Sequence, residues 1–330
     1  MKKEGLTQKQ KTVIVLAAVL LIVAALVLIY IWEKNNSSYT GDIGVLDENG
    51  VLEYDGEKYY LRGDVDTVLV MGIDKFDDMI VDDDVYINNQ QADFMMLLII
   101  DRKTDKCSAI HINRDTMAEM NVLGIGGKKV GTTTGQIALA HTYGSGEKDS
   151  CKNTVDAVSR LLCGIPIDHY VSLTMDAVPI INDAVDGVEV NVLDDLTRYD
   201  PALKAGENVT LMGEQSLYYV RYRYGLEDST NESRMERQRQ YLNALYTKVM
   251  QYINEDKISA SELVLEVSDY MVSDMSATKM DDTLDSIEEY SISEIHTYEG
   301  ETRVTEHVEF YPDKKSVTEL VIKLFFKTKK

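Results

Sequence analysis

The chain has 330 residues, with 34 Lys+Arg against 56 Asp+Glu for a formal net charge of −22, 44% hydrophobic residues and 4 Pro. That balance excludes a disordered or fibrous chain and leaves ample material for a buried core. Its strong negative charge argues against nucleic-acid binding, because any polyanionic partner needs a local basic patch to overcome the repulsion.

In chain order, Lys2, Lys3, Lys9 and Lys11 precede an uncharged run, Val13–Trp32. At 1.5 Å per residue this run spans about 30 Å, the thickness of a hydrocarbon core. Lysine before it and Asp42, Asp47, Glu48, Glu53 and Asp55 after it place the N-terminus in the cytosol and the rest outside. The expected organisation is a cytoplasmic tail (1–12), a transmembrane helix (13–32), a stalk (33–64) with a hairpin at Val51–Leu61 around Asp55-Gly56, and an extracellular domain (65–330). Cys107, Cys151 and Cys163 allow at most one disulfide. No Cys-x-x-Cys or His spacing suggests zinc.

From residue 66 onward, Val68–Met71, Met95–Ile100 and Ser108–Ile112 are apolar runs that read as buried strands, and each lies beside charge. Helical spacing follows at Gln136–Tyr143, Thr154–Leu162, Asp176–Ala184, Gly213–Arg223 and Arg234–Gln251, with strands at Tyr170–Leu173 and Val188–Val192. Leu320–Phe326 reads as a terminal core element. The alternation predicts a layered α/β domain.

Asp74 and Asp93 border two of the apolar strands. If those strands are neighbours, the pair offers a hard cation such as Mg²⁺ two carboxylates, with open positions for phosphate oxygens. Five of the chain's eleven arginines fall between 221 and 239 (Arg221, Arg223, Arg234, Arg237 and Arg239), a local basic patch. Arg234 and Arg237 share a face at a helix start, where the dipole also favours anions. Guanidinium forks fit phosphate oxygens, so the set reads either as a diphosphate clamp or as a solvated face paired to Glu227, Asp228, Glu232 and Glu236. The acidic stretch Asp77–Asp84 lacks EF-hand spacing. Gly124-Ile125-Gly126-Gly127 does not lie between a strand and a helix as a dinucleotide loop would. No Gly-x-Ser-x-Gly elbow accompanies the histidines, which argues against a serine hydrolase.

Taken in order, VLVMGID (68–74), ADFMMLLIIDRKT (92–104), INRDTM (112–117), GQIALAHTYG (135–144), TVDAVSRLLCGIPIDHYVSLTMDAV (154–178), DGVEVNV (186–192), LMGEQSLYYVRYR (211–223) and SRMERQRQYL (233–242) resemble the LytR-CpsA-Psr family of bacterial cell-wall ligases. The resemblance implies a three-layer α/β/α sandwich with a mixed central sheet and an apolar channel for a polyprenyl chain. It also implies transfer of an anionic glycopolymer, teichoic acid or capsule, from a polyprenyl pyrophosphate carrier to a peptidoglycan sugar hydroxyl. Carried over by position, Asp74 and Asp93 bind magnesium, and Arg114, Arg221, Arg223, Arg234 and Arg237 hold the pyrophosphate. Gln91 and Gln136 stand where the family often has Arg and Lys, Gln136 beside the pyrophosphate, and Phe94 replaces its Thr. The alternatives are a regulatory surface protein that binds the lipid-linked polymer without transfer, and a pyrophosphatase using water in the same site.

Overall fold

The computed structural model describes residues 46–75, 87–222, 231–290 and 292–328. The expected tail, membrane span and first part of the stalk, the acidic stretch and Arg223 all lie outside the described residues. Among those described, no helix is long and apolar enough to cross a membrane.

The unit begins with the hairpin β1 (Val51–Tyr54) and β2 (Glu57–Leu61), turned through Asp55 and Gly56 at positive φ. Next come β3 (Val65–Lys75), β4 (Gln90–Asp101), β5 (Lys106–Ile112) and the pair β6 (Met117–Gly124) and β7 (Lys128–Gln136). After a 3-10 turn, Ile137–Thr142, the chain runs through α1 (Lys148–Leu161), β8 (His169–Thr174), α2 (Ala177–Ala184), β9 (Val188–Asn191) and β10 (Asn208–Leu211). The remainder is α3 (Glu214–Arg221), α4 (Asn231–Asn254), α5 (Ala260–Glu266), β11 (Met271–Ser273), α6 (Ala277–Tyr290), β12 (Ile292–His296), β13 (Gly300–Val304), β14 (Val308–Pro312), α7 (Lys314–Phe325) and β15 (Phe326–Thr328).

The principal sheet has six strands in the order β11-β8-β3-β4-β5-β12. It is mixed: β3 runs parallel to β8 and antiparallel to β4, and β12 lies parallel to β5. Consecutive residues on its central strands are buried, including Val68, Leu69, Leu97, Ile99, Ala109 and Ile110, so both faces are covered. A second core forms where β9, β10, α2, α3 and α4 meet, around Val188, Val190, Leu211, Tyr219 and Tyr241.

Residues 46–64 belong to the folded unit and not to a stalk. Leu52 is fully buried, β2 pairs with the C-terminal β15, and the Leu46 N–H donates to the Cys163 carbonyl at 3.0 Å. The stretch expected as a helix at Gln136–Tyr143 is a 3-10 turn. Its carbonyls are held by side chains from elsewhere: Asn153 donates to Ala140, and Asn88 donates to His141 and Thr142. All three cysteines are free and buried.

Candidate functional site

The apolar run of β3 ends at Ile73, and Asp74 follows on the same strand opposite Gln91 of β4. Register jumps from Gly72↔Phe94 to Ile73↔Ala92, leaving Asp93 as the extra residue of a β-bulge. Bulges re-aim side chains beside functional sites, and this one helps bring both acids to one end of two adjacent strands. Gly72 permits the close approach, since a Cβ there would lie 3.0 Å from Phe94 Cβ and 3.1 Å from Met175 Cε.

Three arginines meet these acids. Arg114 lies in the turn after β5 and donates from Nη1 to both oxygens of Asp93 at 2.6 Å, and from Nη2 to Gln91 Oε1 at 2.7 Å. Arg234, in the first turn of α4, reaches Asp93 Oδ2 from Nη1 at 3.2 Å. Arg221, the last residue of α3, grips Asp74 with Nε and Nη2 at 2.8 and 2.7 Å. Asp93, Arg114 and Arg234 are all buried, so these charge-assisted contacts act in a low-dielectric setting.

Arg237 is placed elsewhere. It is fully buried, donates to the carbonyls of Tyr219 and Tyr222, and brings Nε within 2.8 Å of Asp194 Oδ2. Its neighbour Gln238 donates to the Val220 carbonyl at 3.0 Å. The last carbonyls of a helix have no partner within it. Arg237 and Gln238 supply those partners to α3 and thereby fix the end that carries Arg221. Gln136 likewise points inward, donating to Asp115 Oδ1 at 2.9 Å and to the Val308 carbonyl at 2.7 Å.

Sequence reasoning passed over the residues that join these parts. Asn231 Oδ1 accepts from Arg234 Nε and Nη2 at 2.9 and 2.6 Å, while its Nδ2 donates to Asn113 Oδ1 at 2.6 Å. The same Asn113 oxygen accepts the Asp115 N–H, and Thr116 Oγ1 lies 2.9 Å from the Tyr298 hydroxyl. The turn bearing Arg114 is thus tied to Arg234 through buried polar groups. The one available signal was the i,i+3 spacing of Asn231 and Arg234.

An apolar cleft of about 140 Å³ adjoins the acids and arginines. Its lining includes Gly72, Phe94, Met175, Val220, Tyr241 and Leu245, of which Phe94 follows Asp93 and Val220 precedes Arg221 in the chain. Charge at one end and an apolar floor beside it suit an amphiphile with an anionic head.

Other chemistries fit less well. Cys151 Sγ lies 3.7 Å from His141 Nε2, but burial pushes the thiol up to about 12 and the imidazole down to about 4, the reverse of an activated pair. Among the described residues no three His, Cys, Asp or Glu side chains cluster to hold a metal. Asp74 and Asp93 form an oxygen-only donor pair of the kind a hard cation shares with phosphate.

Known proteins resemble this chain in sequence and fold. The polyisoprenyl-teichoic acid–peptidoglycan teichoic acid transferase TagU of Enterococcus faecalis is 29% identical over 219 residues, 65% of this chain and 63% of that protein. The chain therefore spans less than two thirds of that relative's length. The crystal structure of Bacillus subtilis TagV shares the fold at a TM-score of 0.57 and 21% identity, covering 80% of this chain and 96% of that one. A structure of TagT bound to LI-WTA gives the same TM-score and identity, covering 79% and 90%. The pattern of the LytR_cpsA_psr family matches residues 46–324, and the chain belongs to that family.

Proposed function

We propose that the protein is a single-pass membrane transferase with its folded unit outside the cell. It moves an anionic glycopolymer of teichoic-acid or capsular type from a polyprenyl diphosphate carrier to a peptidoglycan sugar hydroxyl. One observation carries this reading: Arg114, Arg221 and Arg234 converge on two strand-end carboxylates beside an apolar cleft. The relatives named teichoic acid transferases support the same chemistry. Burial of consecutive residues on the central strands of the mixed sheet fits a proposed α/β/α layering.

In this scheme the prenyl chain lies along the cleft and the diphosphate takes the arginine forks in place of Asp74 and Asp93. The acceptor hydroxyl oxygen forms a bond to the polymer-bearing phosphorus and releases its proton, the bond to the bridging oxygen breaks with its electron pair on that oxygen, and polyprenyl monophosphate leaves, taking up on balance the proton released. Arg114, Arg221 and Arg234 hold the phosphoryl oxygens and stabilise charge on the leaving side. Arg223, outside the described residues, is assigned to the same set by the family motif alone. Arg237 and Gln136 act from behind, the first by holding the end of α3 and the second by fixing Asp115. Mg²⁺ would be held by Asp74 and Asp93 and would supply further neutralisation of the diphosphate.

The test uses the full chain in detergent with a short polyprenyl diphosphate-linked glycan, with and without a peptidoglycan fragment and Mg²⁺. Polymer joined to the fragment, with release of polyprenyl monophosphate only when the fragment is present, is the expected outcome. Monophosphate released without acceptor would make the protein a hydrolase. Tight binding with no turnover would make it a binding protein.

A further inference from the structure

The Gly-rich segment between β6 and β7 has no part in the chemistry above. Gly126 and Gly127 turn the chain at φ +81° and +71°, and Ile125 stands at the apex, 84% exposed. Val122 pairs with Gly131 and Leu123 with Lys129, so Val130 is the extra residue of a bulge, 70% exposed. Neither position needs an aliphatic side chain: a turn apex accepts polar residues freely, and a bulged residue has no ladder partner. Between them lie Lys128 and Lys129, both exposed and, among the described residues, in no ion pair. On a chain of net charge −22, two lysines and two aliphatics stand together at this tip, and the one carboxylate against it, Asp149 beside Gly127, accepts from the Ser145 N–H and hydroxyl.

We infer that the β6–β7 tip is a docking element for an anionic bilayer surface, with Ile125 and Val130 entering the interfacial zone and Lys128 and Lys129 meeting lipid phosphates. A soluble polyanion would answer the lysines but offer nothing to the aliphatics. A stable protein interface buries roughly 800 Å² on each partner, far more than a hairpin tip presents. Small interfacial contacts hold only alongside a second anchor, which the apolar run Val13–Trp32, read from sequence as a span, would provide. The inference is independent of the diphosphate chemistry and survives if no transfer is found.

The test places an environment-sensitive nitrobenzoxadiazole label at Ile125→Cys in the full chain, reconstituted in lipid nanodiscs. The native thiols are buried and do not compete. A matching label at Leu265→Cys, an exposed site on α5, serves as the comparison. Emission at 125 should shift to the blue in discs containing phosphatidylglycerol, stay at the water value in phosphatidylcholine discs, and return to it when Lys128→Glu and Lys129→Glu are added. The label at 265 should not move. No shift at 125, an equal shift at 265, or a shift that follows protein concentration or added soluble teichoic acid in place of lipid would each overturn the inference.

Discussion

Arg221 closes both prongs of its guanidinium on the two oxygens of Asp74, at 2.8 and 2.7 Å, from the last turn of a helix onto the end of a strand. A planar fork matched to two oxygens is equally matched to a phosphoryl group. Arg221→Lys keeps the charge and loses the fork, so transfer should fall about a hundredfold while the melting temperature barely moves. Arg239→Ala, which removes none of the ion pairs to Asp74 or Asp93 described above, should stay within severalfold of the parent. Equal losses at both positions would show that the fork on Asp74 has no special part in transfer.

Arg234 and Arg237 should separate function from stability. Arg237→Met leaves the Tyr219 and Tyr222 carbonyls at the end of α3 without their donor and Asp194 without its partner, and should cost about 1–3 kcal/mol in urea unfolding. Arg234→Met should weaken binding of a prenyl diphosphate, read by calorimetry, far more than Arg237→Met does in whatever fraction remains folded. The opposite ordering would exchange their roles.

Asp93→Asn should abolish transfer and remove any stabilisation that Mg²⁺ adds in the presence of a diphosphate, read as a shift in melting temperature. Wild-type activity of this variant at limiting Mg²⁺ would rule out the metal assignment.

Two buried histidines set an acid limit on stability. Burial, with Arg234 and Arg239 nearby, pushes His111 down to about 3, and burial pushes His141 down to about 4. Each stays neutral in the folded chain while its unfolded counterpart takes up a proton near pH 6.5. Below that pH the unfolded state binds more protons, so stability falls with decreasing pH until the folded values are reached. By pH 5 the loss is about 2 kcal/mol for each group. His111→Gln should remove its own share of the difference between unfolding at pH 7 and pH 5. An unchanged slope would mean that His111 is protonated when folded.

The topology read from the lysine bias has its own test. Ser38→Cys should react with a membrane-impermeant maleimide on intact cells. Labelling only after lysis would reverse the orientation.

Much of the sheet was legible because β3, β4 and β5 are buried on both faces and their apolar runs end abruptly at Asp74, Asp101 and Asn113. The strand β7 was not, since its Thr-, Gly- and Lys-rich sequence is largely exposed and carries no apolar period. At the site, residue type pointed to the right clusters, but spacing could not divide the work within them. Arg234 and Arg237 lie on one face of α4 by count, yet only the packing of α3 against that face decides which guanidinium meets an acid and which meets backbone carbonyls. The bulge at Asp93 was equally hidden, because one extra residue leaves no mark on an apolar run.

Because the arginine forks already hold carboxylates, the resting site acts as its own counter-ion. An arriving diphosphate is not drawn in by bare positive charge. It meets a protein of the same sign and must trade places with Asp74 and Asp93. Added salt would screen the long-range repulsion while leaving the buried pairs nearly untouched. Association with a polyanionic carrier is therefore expected to quicken as ionic strength rises, opposite to the salt response of an enzyme that steers its substrate by attraction.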